Sequence, residues 1–211
     1  MEGSPSTADI VLALDVGTSS TRCLGFDTAG RQVTGIEADR PVSARYLPDG
    51  GAELDAPPLL EASVDCLAEA SAQAQARGLR ILGVGVCTFW HNVLGVDAEG
   101  RALTPILLWN DTRSAAAAEQ LMQRLDSKAV HRRTGCVLHM SYLPPRIEWL
   151  RQTQPQTHNA CDRFLSFGEY LERHLFGAQR CSLSMASGTG LLNQEQLIWD
   201  EEVLAALRIG P

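Results

Sequence analysis

The first segment that could do chemistry is residues 15–22, Asp-Val-Gly-Thr-Ser-Ser-Thr-Arg, directly after the apolar run Ile10–Leu14. Gly17 permits a tight turn whose backbone amides and hydroxyl groups face an anion, and Asp15 is placed to hold a hydrated Mg²⁺. A hairpin turn in which small hydroxyl residues satisfy local amides has the same composition, so both interpretations stay open. The predicted phosphate-binding residues are Asp15, Gly17, Thr18, Ser19, Ser20 and Arg22.

The second segment, Thr88-Phe89-Trp90-His91-Asn92, follows the apolar run Ile81–Val86. Such a run predicts a strand buried on both faces, and ligands of open α/β sheets bind beyond the carboxyl ends of the strands. An aromatic, imidazole and amide cluster at that place favours ligand binding. A lone histidine is nevertheless more often a structural residue.

The third segment, Trp109-Asn110-Asp111-Thr112-Arg113, also follows an apolar run. Trp109 could cover the C–H face of a sugar, while Asp111 and Arg113 offer an acceptor and a fork of donors. The alternative is a helix start with Thr112 as its cap. A further loop of small hydroxyl residues, 184–190, could form a wall of the same site or a close-packed turn.

Two other phosphate motifs can be dismissed. Residues 25–30 have the glycine spacing of a Walker A loop but continue with Arg31-Gln32 in place of Lys and Ser/Thr. Residues 83–85 lack the third glycine of the dinucleotide fingerprint.

The elements that must position these residues follow from the apolar periodicity. Three leading strands, a helix, and then further strands and helices predict an α/β domain with a mixed sheet flanked by helices. The strands are expected at 10–14, 23–26, 32–36, 81–86, 93–96 and 106–109. The first helix is expected from Pro57-Pro58 to about Arg77, with a buried stripe of Leu60, Val64, Leu67 and Ala68. Four further helices are expected at 113–125, 144–151, 166–175 and 200–207.

Composition restricts the functional class. The 211 residues carry a formal net charge of −7, which argues against nucleic acid or an anionic membrane as partner. The six cysteines form no C-x-x-C pair and are interpreted as buried thiols of a reducing compartment, so the protein is expected in the cytoplasm. Residues 1–8 are expected to form a disordered tail and residues 9–211 a folded lobe.

Together the segments resemble the FGGY family of carbohydrate kinases. Residues 15–22 look like the family's N-terminal phosphate motif, and residues 84–97 are similar to its second strand pair. His91 stands where xylulose kinases carry the histidine of a Met-His-Gly sequence, and residues 106–113 resemble a Leu-Trp-x-Asp-x-Arg segment near the sugar. Residues 133–135, the loop 184–192 and Trp199-Asp200 continue the match.

This resemblance implies an actin-like, ribonuclease-H-type lobe that binds the sugar, with ATP and Mg²⁺ as cofactors and Asp15 on the metal through water. The predicted substrate-binding residues are Trp90, His91, Asn92, Trp109, Asp111, Arg113 and Tyr142. Family members are more than twice this length, so a C-terminal ATP-binding lobe and its carboxylate base are expected beyond Pro211. The chain is therefore expected to be inert alone, and an exposed lobe interface could support a homodimer.

The substrate is expected to be a sugar acid of the gluconate type, since His91 and Arg113 could serve a carboxylate. A pentulose is the alternative, because His91 also fits the xylulose-kinase pattern. Two other functional classes remain: a non-catalytic sugar-binding module of the same fold, and a different actin-like ATPase. One cleft lined by both Asp15 and His91 is the geometric premise of the kinase assignment.

Overall fold

A computed structural model describes residues 8–178 and 180–210 of the chain. Apart from Ala8, the predicted N-terminal tail lies outside the described residues. The strands are β1 (Asp9–Val16), β2 (Ser20–Asp27), β3 (Gln32–Pro41), β4 (Arg45–Tyr46), β5 (Ala52–Leu54), β6 (Arg80–Thr88), β7 (Leu94–Val96), β8 (Ile106–Leu107), β9 (Arg163–Leu165), β10 (Leu192–Asn193) and β11 (Ile198–Trp199).

The helices are α1 (Ala56–Ala76), α2 (Ala115–Arg124), α3 (Ser127–Thr134), α4 (Leu143–Thr153), α5 (Pro155–Ala160), α6 (Phe167–Phe176), α7 (Leu183–Ser187) and α8 (Glu201–Leu207). The chain divides into two compact units. Of the described residues, unit 1 comprises 8–44 and 57–89, and unit 2 comprises 45–56, 90–178 and 180–210.

Unit 1 is built on a four-stranded sheet in the order β3-β2-β1-β6. β1 pairs antiparallel with β2 and parallel with β6, so the predicted mixed sheet is confirmed. Side chains of β1 alternate between a buried and a more exposed face, and Ile10, Leu12, Leu14 and Val16 are all buried. This alternation is the pattern of a sheet covered on one face.

The helix α1 ends as predicted, with Gly78 in a left-handed conformation just beyond it. The predicted buried stripe is wrong, because Val64 is 40% exposed and Ala68 is exposed. The buried positions are instead Ala56, Leu59, Ser63, Cys66, Ala70 and Ala74. Most of these side chains are small, and the Ser63 hydroxyl is satisfied by donating to the Leu59 carbonyl within the helix.

β6 also differs from the prediction of a strand buried on both faces. It is an edge strand, and Leu82, Val84 and Val86 are each about half exposed, at 52%, 47% and 51%. Val84 and Val86 lie beside Leu12 and Leu14 of β1, which are buried. The buried layer of unit 1 therefore ends at β1. The neighbouring strand β6 is apolar, but no other part of unit 1 covers its side chains.

Unit 2 contains the small sheets β4-β5-β8, β7-β9 and β10-β11, together with α2 to α8. The two strands predicted at 93–96 and 106–109 exist as β7 and β8, but they pair with β9 and β5 instead of extending the main sheet. The core of the unit joins β8, α2, α4 and α8 through residues such as Leu107, Leu121, Ile147 and Val203.

Most helix boundaries in unit 2 follow the sequence signals. Ser166 and Glu169 form the predicted capping box of α6, and Asp200 caps α8 by accepting from the Val203 N–H. Thr112 does not cap α2, which begins at Ala115, because its hydroxyl donates to the Gly50 carbonyl instead. The sequence did not predict α3 and α5, which are too short for a clear apolar period.

Two chain-wide expectations concern the thiols and the membrane. All six cysteines are free, but only Cys23, Cys66 and Cys136 are buried, and Cys87 is exposed. Among the described residues, no helix has the length and apolar character needed to cross a bilayer.

Candidate functional site

The turn between β1 and β2 forms the first candidate site, in unit 1. The Gly17 N–H donates to the Ser20 carbonyl at 2.9 Å. A Cβ at Gly17 would stand only 2.9 Å from that same oxygen, so the turn requires a glycine. Ser19 is exposed, and Thr18 and Ser20 are partly exposed. Their hydroxyl groups are therefore accessible for binding an anion.

The charged residues of this turn differ in their partners. Asp15 is exposed at the end of β1, and no hydrogen bond or ion pair occupies its carboxylate among the described residues. Arg22 stands opposite it in the register, but its Nε donates to Asp39 at 2.7 Å. This ion pair is more than half exposed on both sides, so it holds Arg22 weakly.

The second candidate site lies in unit 2 and combines three rings from two segments. The His91 ring lies 5.1 Å from the Trp90 ring, edge to face, and 4.9 Å from the Tyr142 ring. All three residues are partly exposed. The structure thus brings Tyr142 together with Trp90 and His91, which lie in a distant segment of the sequence.

Burial, and secondly the positive charge of Arg146, lower the pKa of His91 below the ordinary histidine value. The imidazole is therefore neutral at pH 7, with one nitrogen as donor and the other as acceptor. A neutral ring of this kind suits hydroxyl groups better than it suits a carboxylate.

The loop 182–190 also reaches this aromatic cluster. A Cβ added to Gly188 would lie 2.7 Å from Nε1 of Trp90. The indole therefore packs directly on the backbone of the loop, so the loop lies beside the cluster. The Ser182 side chain caps the short α7 by accepting from the Met185 N–H and so fixes the start of this loop.

Asn92 occupies a different position from the other predicted contacts. It is fully buried, and its Oδ1 accepts a 2.7 Å hydrogen bond from the Phe167 N–H at the first turn of α6. Its amide therefore joins the start of α6 to the segment that bears His91. In this structure it is not accessible to a ligand.

The third predicted segment forms a buried ion-pair network. Arg113 donates to Asp111 and to Glu53 at 2.6 and 2.7 Å, and the three side chains are at most 9% exposed. The Arg113 guanidinium also lies 4.4 Å from the Trp149 ring centre. Asp111 additionally accepts from the Ala52 N–H. Asp111 and Arg113 therefore hold β5 and the 111–113 turn together. Trp109, in contrast, is 56% exposed and free to contact a ligand.

Sequence reasoning missed Glu53, Trp149 and Arg146. Glu53 lies between the strand predicted at 32–36 and the helix predicted from Pro57, and nothing local marks it as the partner of a residue 60 positions away. Arg146 lies in α4 next to the apolar positions Leu143, Ile147 and Leu150, all buried. A charged residue inside such a stripe was the available signal.

A cavity of about 830 Å³ that is partly open to solvent also lies in unit 2, and its lining includes Phe164, Trp199 and Leu204. Leu143 and Thr189, neighbours of Tyr142 and Gly188, line it as well, but Trp90, His91 and Tyr142 do not. The aromatic cluster is thus a surface site and not part of this cavity. Asp15 belongs to unit 1 and His91 to unit 2, so a cleft shared by both remains a prediction.

Comparison with known protein families gives one match over almost the whole chain. The model of the N-terminal domain of the FGGY family of carbohydrate kinases matches residues 10–211. The Bacillus subtilis gluconokinase is 28% identical over 202 residues, covering 95% of this chain and 38% of that protein. A Streptomyces coelicolor xylulose kinase is 31% identical over 210 residues, covering 99% of this chain and 42% of that protein.

Solved structures give the same result for the fold. The crystal structure of gluconate kinase from Lactobacillus acidophilus superposes with a TM-score of 0.87 at 22% identity, covering 97% of this chain and 40% of that one. Xylulose kinase from Rhodospirillum rubrum gives a TM-score of 0.89 at 23% identity, covering 96% and 42%. The chain therefore spans about two fifths of the length of these relatives.

Proposed function

The chain belongs to the FGGY family of carbohydrate kinases, and we propose that it forms the sugar-binding part of an enzyme that phosphorylates a hydroxyl group of a sugar or sugar acid with ATP. Its fold is that of the N-terminal lobe of these kinases, of the actin-like type. The six free thiols support a reducing compartment such as the cytoplasm.

The cluster of Trp90, His91 and Tyr142 is the observation that supports this proposal most. The indole offers an apolar surface to the C–H groups of a polyol, and the neutral imidazole and the phenol offer hydrogen bonds to its hydroxyl groups. Trp109 is exposed and completes the proposed set of direct contacts. The other predicted contacts act indirectly. The ion pair of Arg113 with Asp111, and the hydrogen bond from the Phe167 N–H to Asn92, hold the segments that carry the direct contacts.

We place a sugar acid of the gluconate type first, on the similarity to gluconokinases. A specific observation also supports a pentulose. The lowered pKa of His91 leaves the ring neutral, and Arg113 is bound to two carboxylates, so neither residue is a ready partner for the carboxylate of a sugar acid. A neutral ketose needs no such partner.

ATP and Mg²⁺ are proposed to bind at the β1–β2 turn. The tight turn at Gly17, the accessible hydroxyl groups of Thr18, Ser19 and Ser20, and the unpaired carboxylate of Asp15 fit a metal-bound phosphate chain. Among the described residues, no group of three or more carboxylate, imidazole or thiol side chains could hold a metal ion. Most ligands of the magnesium ion would then be phosphate oxygens and water. The bound nucleotide would supply the transferred phosphoryl group.

A second lobe is proposed to follow in the same polypeptide. The curated relatives are more than twice as long as the part they share with this chain. The uncovered apolar edge at β6 supports further polypeptide, or a second copy of the chain, packing there. The carboxylate that takes the proton of the substrate hydroxyl would belong to that second lobe.

Calorimetric titration with gluconate, xylulose, glycerol and ATP tests the proposal. We expect one sugar or sugar acid to bind, and Trp90→Ala to weaken that binding. Val137→Ala, at an exposed position of the same unit, is the matched control and should change nothing. Binding of ATP without binding of gluconate, xylulose or glycerol would instead indicate a different actin-like ATPase.

A further inference from the structure

Arg146 is buried beneath the aromatic cluster and is only 1% exposed. Its Nη1 donates to the His91 carbonyl at 2.8 Å, and its Nε donates to the Met140 carbonyl at 3.1 Å. Nη2 has no hydrogen-bond partner among the described residues. The guanidinium thus joins the segment that bears His91 to the segment that leads to Tyr142.

Burying a guanidinium group without an ion-pair partner reduces the stability of the folded protein. Among the described residues no carboxylate lies within ion-pair distance of Arg146, and burial lowers its pKa to about 10 even though the nearby charge of Asp111 opposes the shift. The side chain therefore remains charged at pH 7. A buried charge without a direct partner destabilises a fold, and an apolar side chain would fill the same place in α4 at lower cost.

The partners of Arg146 indicate why a cation occupies this position. Both hydrogen bonds end on main-chain carbonyls of segments that carry rings of the cluster. Its charge also acts on a third segment through Asp111, which holds Arg113 and the Ala52 backbone. One side chain thus touches or influences three segments of the candidate sugar site in unit 2, namely 90–92, 109–113 and 140–142.

We propose that Arg146 is a positioning residue of the sugar site, which fixes the His91 backbone and the 140–142 segment so that the His91 and Tyr142 rings are held together for the substrate. The proposal rests on the proposed function, because it assumes that these rings contact a sugar. It deepens that function by naming the residue that keeps the contact surface in order before the substrate arrives.

Three variants and a control test this role in the full chain. Arg146→Met removes the charge and all donors, Arg146→Gln removes the charge but keeps an amide donor, and Arg146→Lys keeps the charge. Arg132→Met is the control, because Arg132 is exposed in the same unit and the charge change is the same.

The first readout is the NMR titration of the His91 ring, assigned with His91→Gln. Arg146 is the charged group that acts on this imidazole, and Tyr142 is the ionisable ring in contact with it. We expect the pKa of His91 to rise in Arg146→Met and Arg146→Gln, and to stay lowered in Arg146→Lys and Arg132→Met. The nuclear Overhauser contact between the His91 and Tyr142 rings should be lost in the two neutral variants.

The second readout is the affinity for gluconate and xylulose, measured by calorimetry. We expect a loss of about tenfold or more in Arg146→Met, a comparable loss in Arg146→Gln and a partial rescue in Arg146→Lys. If Arg146→Met does not fold, Arg146→Gln carries the same comparison.

Folded neutral variants that keep the ring contact, the His91 pKa and the affinity would overturn the proposal. Failure of the wild-type chain to bind any sugar would instead contradict the proposed function. In that case the ring contact and the His91 pKa still decide whether Arg146 positions the cluster.

Discussion

Gly188 lies so close to the Trp90 indole that a single methyl group can disturb the aromatic cluster. Its backbone has an ordinary negative φ of −93°, so alanine costs nothing in backbone conformation. The new Cβ would nevertheless stand 2.7 Å from Nε1 and 3.1 Å from two ring carbons of Trp90. The indole must move away from the loop to accept it.

We therefore expect Gly188→Ala to weaken sugar binding about tenfold while changing the free energy of unfolding by only about 1 kcal/mol. Calorimetry and urea unfolding measure the two effects. Gly210→Ala is the control, because a Cβ there meets no atom within 4 Å. Equal affinities for wild type and Gly188→Ala would show that the position of the Trp90 ring does not matter for binding.

At the residue scale the sequence selected side chains that the structure groups together, but it did not reveal their partners. Trp90 and His91 could be selected because an aromatic and an imidazole follow an apolar run, and the structure places them in one cluster. Asp111 and Arg113 could be selected for their charges, but their partner Glu53 is distant in sequence, so the buried network could not be foreseen. Arg146 stood out only as a charged residue in an apolar stripe, and its main-chain partners could not be foreseen from the sequence.

The link between α3 and α8 is the element-scale feature with a clear dependence on pH. Arg133 in α3 donates to Asp200, the cap of α8, and Asp200 is only 2% exposed. Burial alone would raise the pKa of Asp200, but hydrogen bonds from Arg133 and from the Val203 N–H outweigh it and lower the pKa. A lowered carboxyl pKa stabilises the fold above the ordinary value, and this stabilisation is lost as the pH falls through the lowered pKa.

Arg133→Met should therefore destabilise the chain by about 2 kcal/mol at pH 7, because it leaves a buried carboxylate without its cation. The difference from wild type should shrink as the pH falls from 7 towards about 3, because burial without Arg133 favours protonation of Asp200 in the variant. Urea unfolding across this pH range measures it, with Arg132→Met as control. A difference that does not depend on pH would mean that Arg133 acts through packing alone.

Element types were predicted better than element partners. The capping box at Ser166 and the glycine stop of α1 are local signals, and both were confirmed. The buried stripe of α1 was wrong because the apolar residues Val64 and Leu67 were weighted above the small ones that pack on the sheet. The pairing of β7 with β9 depends on residues about 70 positions apart, so no local pattern could reveal it.

At the scale of the whole molecule, the apolar edge of β6 is the feature that local structure leaves unexplained. Leu82, Val84 and Val86 are half exposed along a strand whose outer edge is unpaired in the described sheet. An apolar strand edge of this kind favours association with further polypeptide. The sequence predicted burial on both faces from the apolar run alone, and a buried β6 would agree with that run once such polypeptide is present.

The 211-residue chain alone should not turn over ATP, because the proposed base belongs to the second lobe. We expect no ATP hydrolysis or sugar phosphorylation with gluconate or xylulose above a control without sugar. Amide exchange of β6 should be fast in this chain and slow in a longer protein that includes the second lobe. Turnover by the chain alone would contradict the proposed division of the site between two lobes.

The most direct test of the sugar site is an NMR titration of the chain with gluconate and with xylulose, following the Trp90 indole N–H and the ring signals of His91 and Tyr142. The account predicts that at least one of the two ligands shifts all three sets of signals in a saturable way, and that Trp90→Ala weakens the response of the other two rings. Saturable binding that leaves these rings unperturbed, or no binding of either ligand, would contradict it.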